Sequence, residues 1–318
     1  MSVVTLTADD TSISFDGSKD AKRYILRSID GWLETPDSKM DLDERASGDG
    51  AHDVPASQNL YAARTVVIGY RLLADSAHDR DGLLAMQERI RSLVHHEGTI
   101  RVQDASRDLT CQGYVQAIEV AETAQNINWQ TLTGQVTLVC PRPELLSQRP
   151  HRYQLTKRGA LQSGDGLCYG TGLATYWEGE PNNSPSVLVA DTLAGTCGIQ
   201  YPVRYTYHTE VAYSNKAVMV NDGSSRAYPV FKCYGPWPKG VSLDFPALDL
   251  RLSCSIPVEG EPLILDCRAR TATLGQTDCS YALTQRGFPV VDAHSSLAVV
   301  LSAEADGYVD VIVHDTYM

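Results

Sequence analysis

The chain has 318 residues, 43% of them hydrophobic and 21% charged, with a formal net charge of −12. That length suits roughly two domains, and the acidity excludes the broad basic surface that holds nucleic acid, so tight DNA binding is not expected. No apolar run approaches the ~20 residues of a membrane span, and the opening MSVVTLTADDT has no basic stretch ahead of an apolar core, so neither a span nor a classical export signal is expected.

Residues 1–33 hold short β-prone segments that end in Tyr24–Trp32. Residues 34–60 are polar and acidic, with Asp37, Asp41, Asp43, Glu44, Asp49 and Asp53, and show no period. A loop of that length inside a compact domain is uncommon unless it is functional or disordered. Asp41 and Asp43 have the spacing of an EF-hand start, but Arg45 stands where the third oxygen ligand belongs, so calcium is rejected. Val66, Ile68, Tyr70 and Leu72 share the two-residue phase of a strand. The period then changes. Leu83, Met86, Ile90, Leu93 and Val94 fall on one helical face behind Asp79 and Asp81, acidic residues suited to a helix N-terminus, and Gly98 is expected to end the helix. His95 and His96 are adjacent, so they point apart and are not read as a metal pair. Strands are expected at 99–104 and 109–121, and Leu132, Gly134, Val136, Leu138 and Cys140 alternate up to Pro141-Arg142-Pro143. Residues 141–155, with three prolines, read as a linker between domains 1–145 and 146–318.

The second half reads as almost all β. Strands are expected at 199–208, with Pro202 placing that one at an edge, and at 216–220, 227–234, 241–256, 262–266, 297–302 and 308–313, the turn-separated spacing of a sandwich. Within 241–256, Leu248, Leu250, Leu252, Cys254 and Ile256 alternate with polar residues. Asn221-Asp222-Gly223 reads as a turn tolerant of positive φ, and Gly235-Pro236-Trp237-Pro238-Lys239-Gly240 as a loop, because proline has no N–H for a ladder. Gly164, Gly166, Gly170 and Gly172 lack the spacing and the following helix of a phosphate loop. The eight cysteines have no C-x-x-C and no zinc spacing, and read as reduced, buried thiols. Neither G-x-S-x-G nor H-E-x-x-H occurs. Asp266, at a strand end beside Arg268 and Arg270, reads as half of a structural ion pair.

Asn221–Gly223, then YPVFKCYGP at 228–236, then GEPLILDCRARTATL at 260–274 occur in an order that resembles the C-terminal half of the distal tail protein (Dit) family of long-tailed phages. YILRSIDGW at 24–32, Asp49-Gly50, RTVVIG at 64–69 and Pro141-Arg142-Pro143 agree more loosely with its N-terminal half. Residues 164–184, rich in Gly, Tyr and Asn, depart from the pattern.

The resemblance implies a mainly β, α+β protein: an N-terminal split β-barrel-like domain with one helix, at 1–145, and a C-terminal galectin-like β-sandwich, at 146–318. It implies a structural subunit of a homohexameric ring, made in the host cytoplasm and carried in the virion tail. Its partners are then the tail tube protein on one face and tail-tip and receptor-binding proteins on the other. No catalytic, cofactor-binding or metal residue is expected. Two other readings stay open. One is a carbohydrate-binding adhesion module using Trp177, Trp237 or loop tyrosines, since aromatic faces stack on sugar rings; the other is a hydrolase with a carboxylate pair assembled in space.

Overall fold

The computed structural model describes residues 3–16, 24–53, 60–73, 79–94, 96–120, 131–156, 215–302 and 305–318. The expected strand at 199–208, the glycines of 164–172 and Trp177 lie outside these residues. Two compact units form, one from Met1–Arg149 with Thr316–Met318 and one from Pro150–Asp315. The protein is mainly β, with one α-helix and three antiparallel sheets among the described residues.

The first unit contains β1 (Val3–Ala8), β2 (Thr11–Phe15), β3 (Tyr24–Asp30), β4 (Arg64–Leu73), α1 (Arg80–Arg91), β5 (Glu97–Asp104), β6 (Arg107–Val120), β7 (Thr131–Cys140) and β8 (Leu145–Ser147). Its sheet runs β2-β1-β5-β6-β7-β4-β3, and β8 pairs with β6. Period-two patterning explains this sheet: Val66, Ile68, Tyr70 and Leu72 of β4 are fully buried, as are Val136, Leu138 and Cys140 of β7, which pairs with β4 along ten positions. On α1, Leu83, Met86 and Ile90 are buried, and the Tyr70 hydroxyl donates to Gln87 Oε1 at 2.8 Å, which fixes the helix to β4.

Asp79 caps α1, its carboxylate accepting from the Gly82 N–H at 2.9 Å. The helix ends earlier than its apolar spacing implied. Ser92 closes it, Val94 bridges to Val115, and Gly98 already lies in β5 opposite Ala8. A Cβ at Gly98 would sit 2.8 Å from the Thr7 carbonyl oxygen, so this glycine serves close strand approach and not a helix stop. His96 pairs with Asp9 at 2.6 Å.

In the second unit are β9 (His151–Thr156), β10 (Lys216–Asn221), β11 (Val230–Tyr234), β12 (Val241–Phe245), β13 (Leu250–Cys254), β14 (Leu263–Asp266), β15 (Thr271–Leu274), β16 (Thr277–Asp278), β17 (Leu283–Arg286), β18 (Ser295–Leu301) and β19 (Tyr308–Val313). They make two sheets, β10-β18-β12-β13-β17 and β16-β15-β14-β11-β19-β9. The sheets share one core, in which Met219, Leu243, Phe245 and Val299 of the first meet Phe231, Leu265, Val309 and Val311 of the second, with Phe231 and Phe245 5.9 Å apart. The final strand, β20 (Thr316–Tyr317), pairs with β8 in the first unit.

One expectation needs correction. Residues 241–256 are a hairpin and not one strand: Pro246–Leu248 form a 3-10 turn, Asp249 takes φ 50°, and β12 pairs back on β13. The alternation continued across the turn because the hairpin returns the same phase to the core, while Leu248 and Leu250 stay exposed. Residues 141–155, expected as the linker, contain the division between the units and are themselves structured. They hold β8 and most of β9, with Leu145 and Leu155 buried, and the units divide at Arg149/Pro150.

Candidate functional site

Between β3 and β4 the chain leaves the first unit's core. Residues 37–53 and 60–62 form an irregular antiparallel arm, with Ser38 bridging Tyr61 and Glu44 bridging Ala51. Its rungs are Lys39 N–H to the Leu60 carbonyl at 2.7 Å, Ala62 N–H to Asp37 at 2.8 Å, His52 N–H to Asp43 at 3.0 Å and Arg45 N–H to Gly50 at 3.0 Å. The tip turns through Gly48 and Gly50, both at positive φ, which glycine adopts without a steric penalty. Arg45 closes on Asp53 at 2.9 Å. The long loop expected at 34–60 is therefore a paired arm wherever it is described. No periodicity announced it because it buries neither face.

That lack of burial distinguishes the arm. Asp37, Asp41, Asp43, Glu44, Asp49 and Asp53 are all exposed, and so are Leu33 (87%), Met40, Leu42 (52%) and Leu60 (59%). Exposed apolar side chains thus lie on and beside an acidic segment.

The arm's base is held by Arg64, a fully buried residue that sequence reading treated only as a strand start. Its Nε donates to the Pro143 carbonyl at 2.9 Å, and its Nη1 to the carbonyls of Gly31 (2.8 Å), Trp32 (3.2 Å) and Glu34 (2.6 Å). Burial lowers the pKa of this guanidinium, yet arginine keeps its charge in proteins. The exit from β3, the entry to β4 and the segment after β7 thus converge on one cation.

In the second unit the residues singled out from sequence are structural. Trp237 is fully buried, its backbone exchanging hydrogen bonds with Val258 at 2.8 and 3.0 Å, so it offers no face to a sugar. A groove of about 520 Å³ lies along β12 and β13, lined by Asp244, Pro246, Asp249, Leu250, Arg251 and Gln285, with no Trp, Tyr or His in its wall. Two of its charged residues pair with each other, Asp244 binding both Arg251 and the Ser302 hydroxyl. The turn after β10 is held by the buried Asn221 side chain, whose amide donates to the carbonyls of Ser225 (2.7 Å), Asp292 (3.0 Å) and Val291 (3.2 Å) and whose oxygen accepts from Gly223 N–H.

Asp266 caps the chain that follows it: its Oδ1 accepts from the backbone N–H groups of Arg268 at 2.7 Å and Ala269 at 2.9 Å. The Arg268 guanidinium lies 5.0 Å from the Tyr228 ring centroid. The carboxylate therefore caps the turn that follows β14. Asp266→Ala should cost about 1–2 kcal/mol of stability, and Asp266→Asn less, because an amide oxygen still accepts; thermal melts of both variants check the order. The six described cysteines, 111, 140, 233, 254, 267 and 279, are free and buried. Burial pushes the Cys233 and Cys267 thiols up, and Cys279 to about 11, so these are poor nucleophiles.

No protein-family model and no curated protein sequence matches this chain. Solved structures do. The crystal structure of SPP1 Dit (gp 19.1), described as a paradigm of the hub adsorption apparatus in phages infecting Gram-positive bacteria, superposes with a TM-score of 0.56 at 11% identity, covering 99% of each chain. A chain of the phage P2 baseplate in its activated conformation with Ca gives 0.49 at 9% identity over 98% of each. The fold of this chain is similar to that of the SPP1 hub protein.

Proposed function

We propose that this chain is the distal tail subunit of a long-tailed phage, a structural protein that assembles as a hexameric ring between the tail tube and the tail-tip or receptor-binding proteins. The supporting observation is the fold shared with SPP1 Dit over 99% of both chains, when partial overlap is what a common β-sandwich alone would produce. The first unit, residues 1 to about 145, builds the ring as a split β-barrel-like domain. The second, from about 146, is galectin-like and projects toward the tail-tip proteins. The role is geometric and non-catalytic. A closed ring of identical subunits needs two different, complementary surfaces on each, and the apolar, acidic arm at 37–53 and 60–62 supplies one of them. DNA passes through the ring without being held, as befits a chain of net charge −12. No helix among the described residues is long and apolar enough to cross a membrane.

Light scattering and negative-stain imaging of the purified protein test this directly. The expected particle has close to six times the 34.8 kDa chain mass and a central opening. A stable monomer at high concentration would sink the ring assignment. Monomers that bind cell-wall glycan would favour an adhesion module instead.

A further inference from the structure

We propose that His151, Asp222 and Asp315 form a binding site for one first-row divalent cation, with Mn²⁺ and Zn²⁺ preferred over Ca²⁺. Their donor atoms all lie within 4.8 Å of one another. They come from three separate places in the second unit: the start of β9, the turn after β10 and the segment after β19. His151 Nε2 lies 3.0 Å from Asp315 Oδ1. Two neighbouring ligands on an ion with bonds of about 2.1 Å stand about that far apart.

The surroundings prepare the ligands. Asp315 Oδ1 accepts from the backbone N–H of Asp222 at 2.8 Å, the kind of outer hydrogen bond that fixes a carboxylate ligand. The buried Asn221 side chain holds the turn that presents Asp222. The Asp222 carboxylate itself has no hydrogen-bond or ion-pair partner among the described residues, although it faces a second carboxylate and an imidazole. A cation between them removes the repulsion of the two carboxylates and engages the imidazole nitrogen. One nitrogen with two carboxylate oxygens, completed by water, suits Mn²⁺ or Zn²⁺; Ca²⁺ takes six to eight oxygens.

The site's place in the chain gives it a consequence. The chain enters the second unit at Pro150 and leaves it at Asp315. An ion held by His151 and Asp315 therefore ties the unit's two ends together and to the β10 turn. Sequence carried no hint of it, because the donors are separated by as many as 164 residues.

The test uses EDTA-treated full-length protein titrated with Mn²⁺, free ion being read by electron paramagnetic resonance. Wild type is expected to bind one ion per chain with micromolar affinity and to melt at a higher temperature when loaded. Asp222→Asn should weaken binding by about ten-fold or more and abolish the melting shift. Because Asp222 is exposed and its side chain holds nothing else, its metal-free melt should match wild type. Zn²⁺ should displace Mn²⁺ more effectively than Ca²⁺ does. No bound Mn²⁺ at millimolar concentration, or equal binding by wild type and D222N, overturns the site. Ca²⁺ displacing better than Zn²⁺ overturns the role given to the imidazole.

Discussion

Replacing Arg64 with Met is expected to lower the stability of the first unit by about 3–5 kcal/mol, the range for removing one partner from a buried charged network. Methionine keeps an unbranched apolar stem that reaches about as far as the arginine Nε but has no donors. The carbonyls of Gly31, Trp32, Glu34 and Pro143 would each lose a hydrogen bond from a charged donor, and those of Trp32 and Pro143 are buried, where water cannot replace it. An unsatisfied buried acceptor costs about 1–3 kcal/mol, so leaving the two buried carbonyls without a donor produces a loss of this size. For a unit of this length that corresponds to a fall in melting temperature of roughly 10 °C. Lysine should recover little, because a single ammonium on a flexible stem cannot address carbonyls on both sides of a planar fork. Differential scanning calorimetry of the full chain reads the effect. Since each unit has its own hydrophobic core, the transition of the first should move and that of the second should stay. An unchanged thermogram would show that Arg64 is not holding these segments.

Arg64 also shows where sequence reading stops. Its position at the head of the alternating run Val66, Ile68, Tyr70, Leu72 is consistent with a strand, and that strand forms. Nothing in one dimension says that a charged residue is buried, and arginine almost never is unless partners from elsewhere in the chain meet it. Those partners lie 30 to 79 residues away. The same limit governs the cluster at His151, Asp222 and Asp315, which exists only once three chain segments meet. Patterns that depend on near neighbours were legible. The periods of β4, β7, β11 and β19, the Asp79 cap and the mainly β character all follow from residue spacing. Where the local signals conflicted, the turn chemistry was the better guide: Pro246 and Asp249 marked the bend that the alternation of 241–256 concealed. The arm was legible only as a long stretch without period, and that absence has a physical cause. A segment that packs against its own chain on neither face is under no periodic constraint.

Substituting Met40 and Leu42 together with Asp is expected to convert the assembled particle to monomers while leaving the monomer's melting temperature unchanged. Both side chains are exposed in the isolated chain, Met40 at 38% and Leu42 at 52%, so the fold loses little burial when they are replaced. In a ring the same side chains would be covered. Burying a Leu or Met contributes about 1.5–3 kcal/mol, less here because each is already partly shielded, and placing two carboxylates at the contact adds a desolvation cost. A loss of about 4 kcal/mol at every subunit contact weakens each by roughly a thousand-fold. Closure of a cyclic assembly requires all its contacts at once, so such a change removes the ring altogether and does not merely shift its equilibrium. A second variant separates apolar contact from charge: Asp41→Asn with Asp43→Asn leaves the apolar residues in place. It should retain the ring, and the salt dependence of assembly should diminish if these charges meet a basic neighbour. Sedimentation velocity on the parent and both variants gives the answer. A Met40, Leu42 variant that sediments like its hexameric parent would place the subunit contact elsewhere on the first unit, with the arm then free to meet the tail tube or the tail-tip proteins.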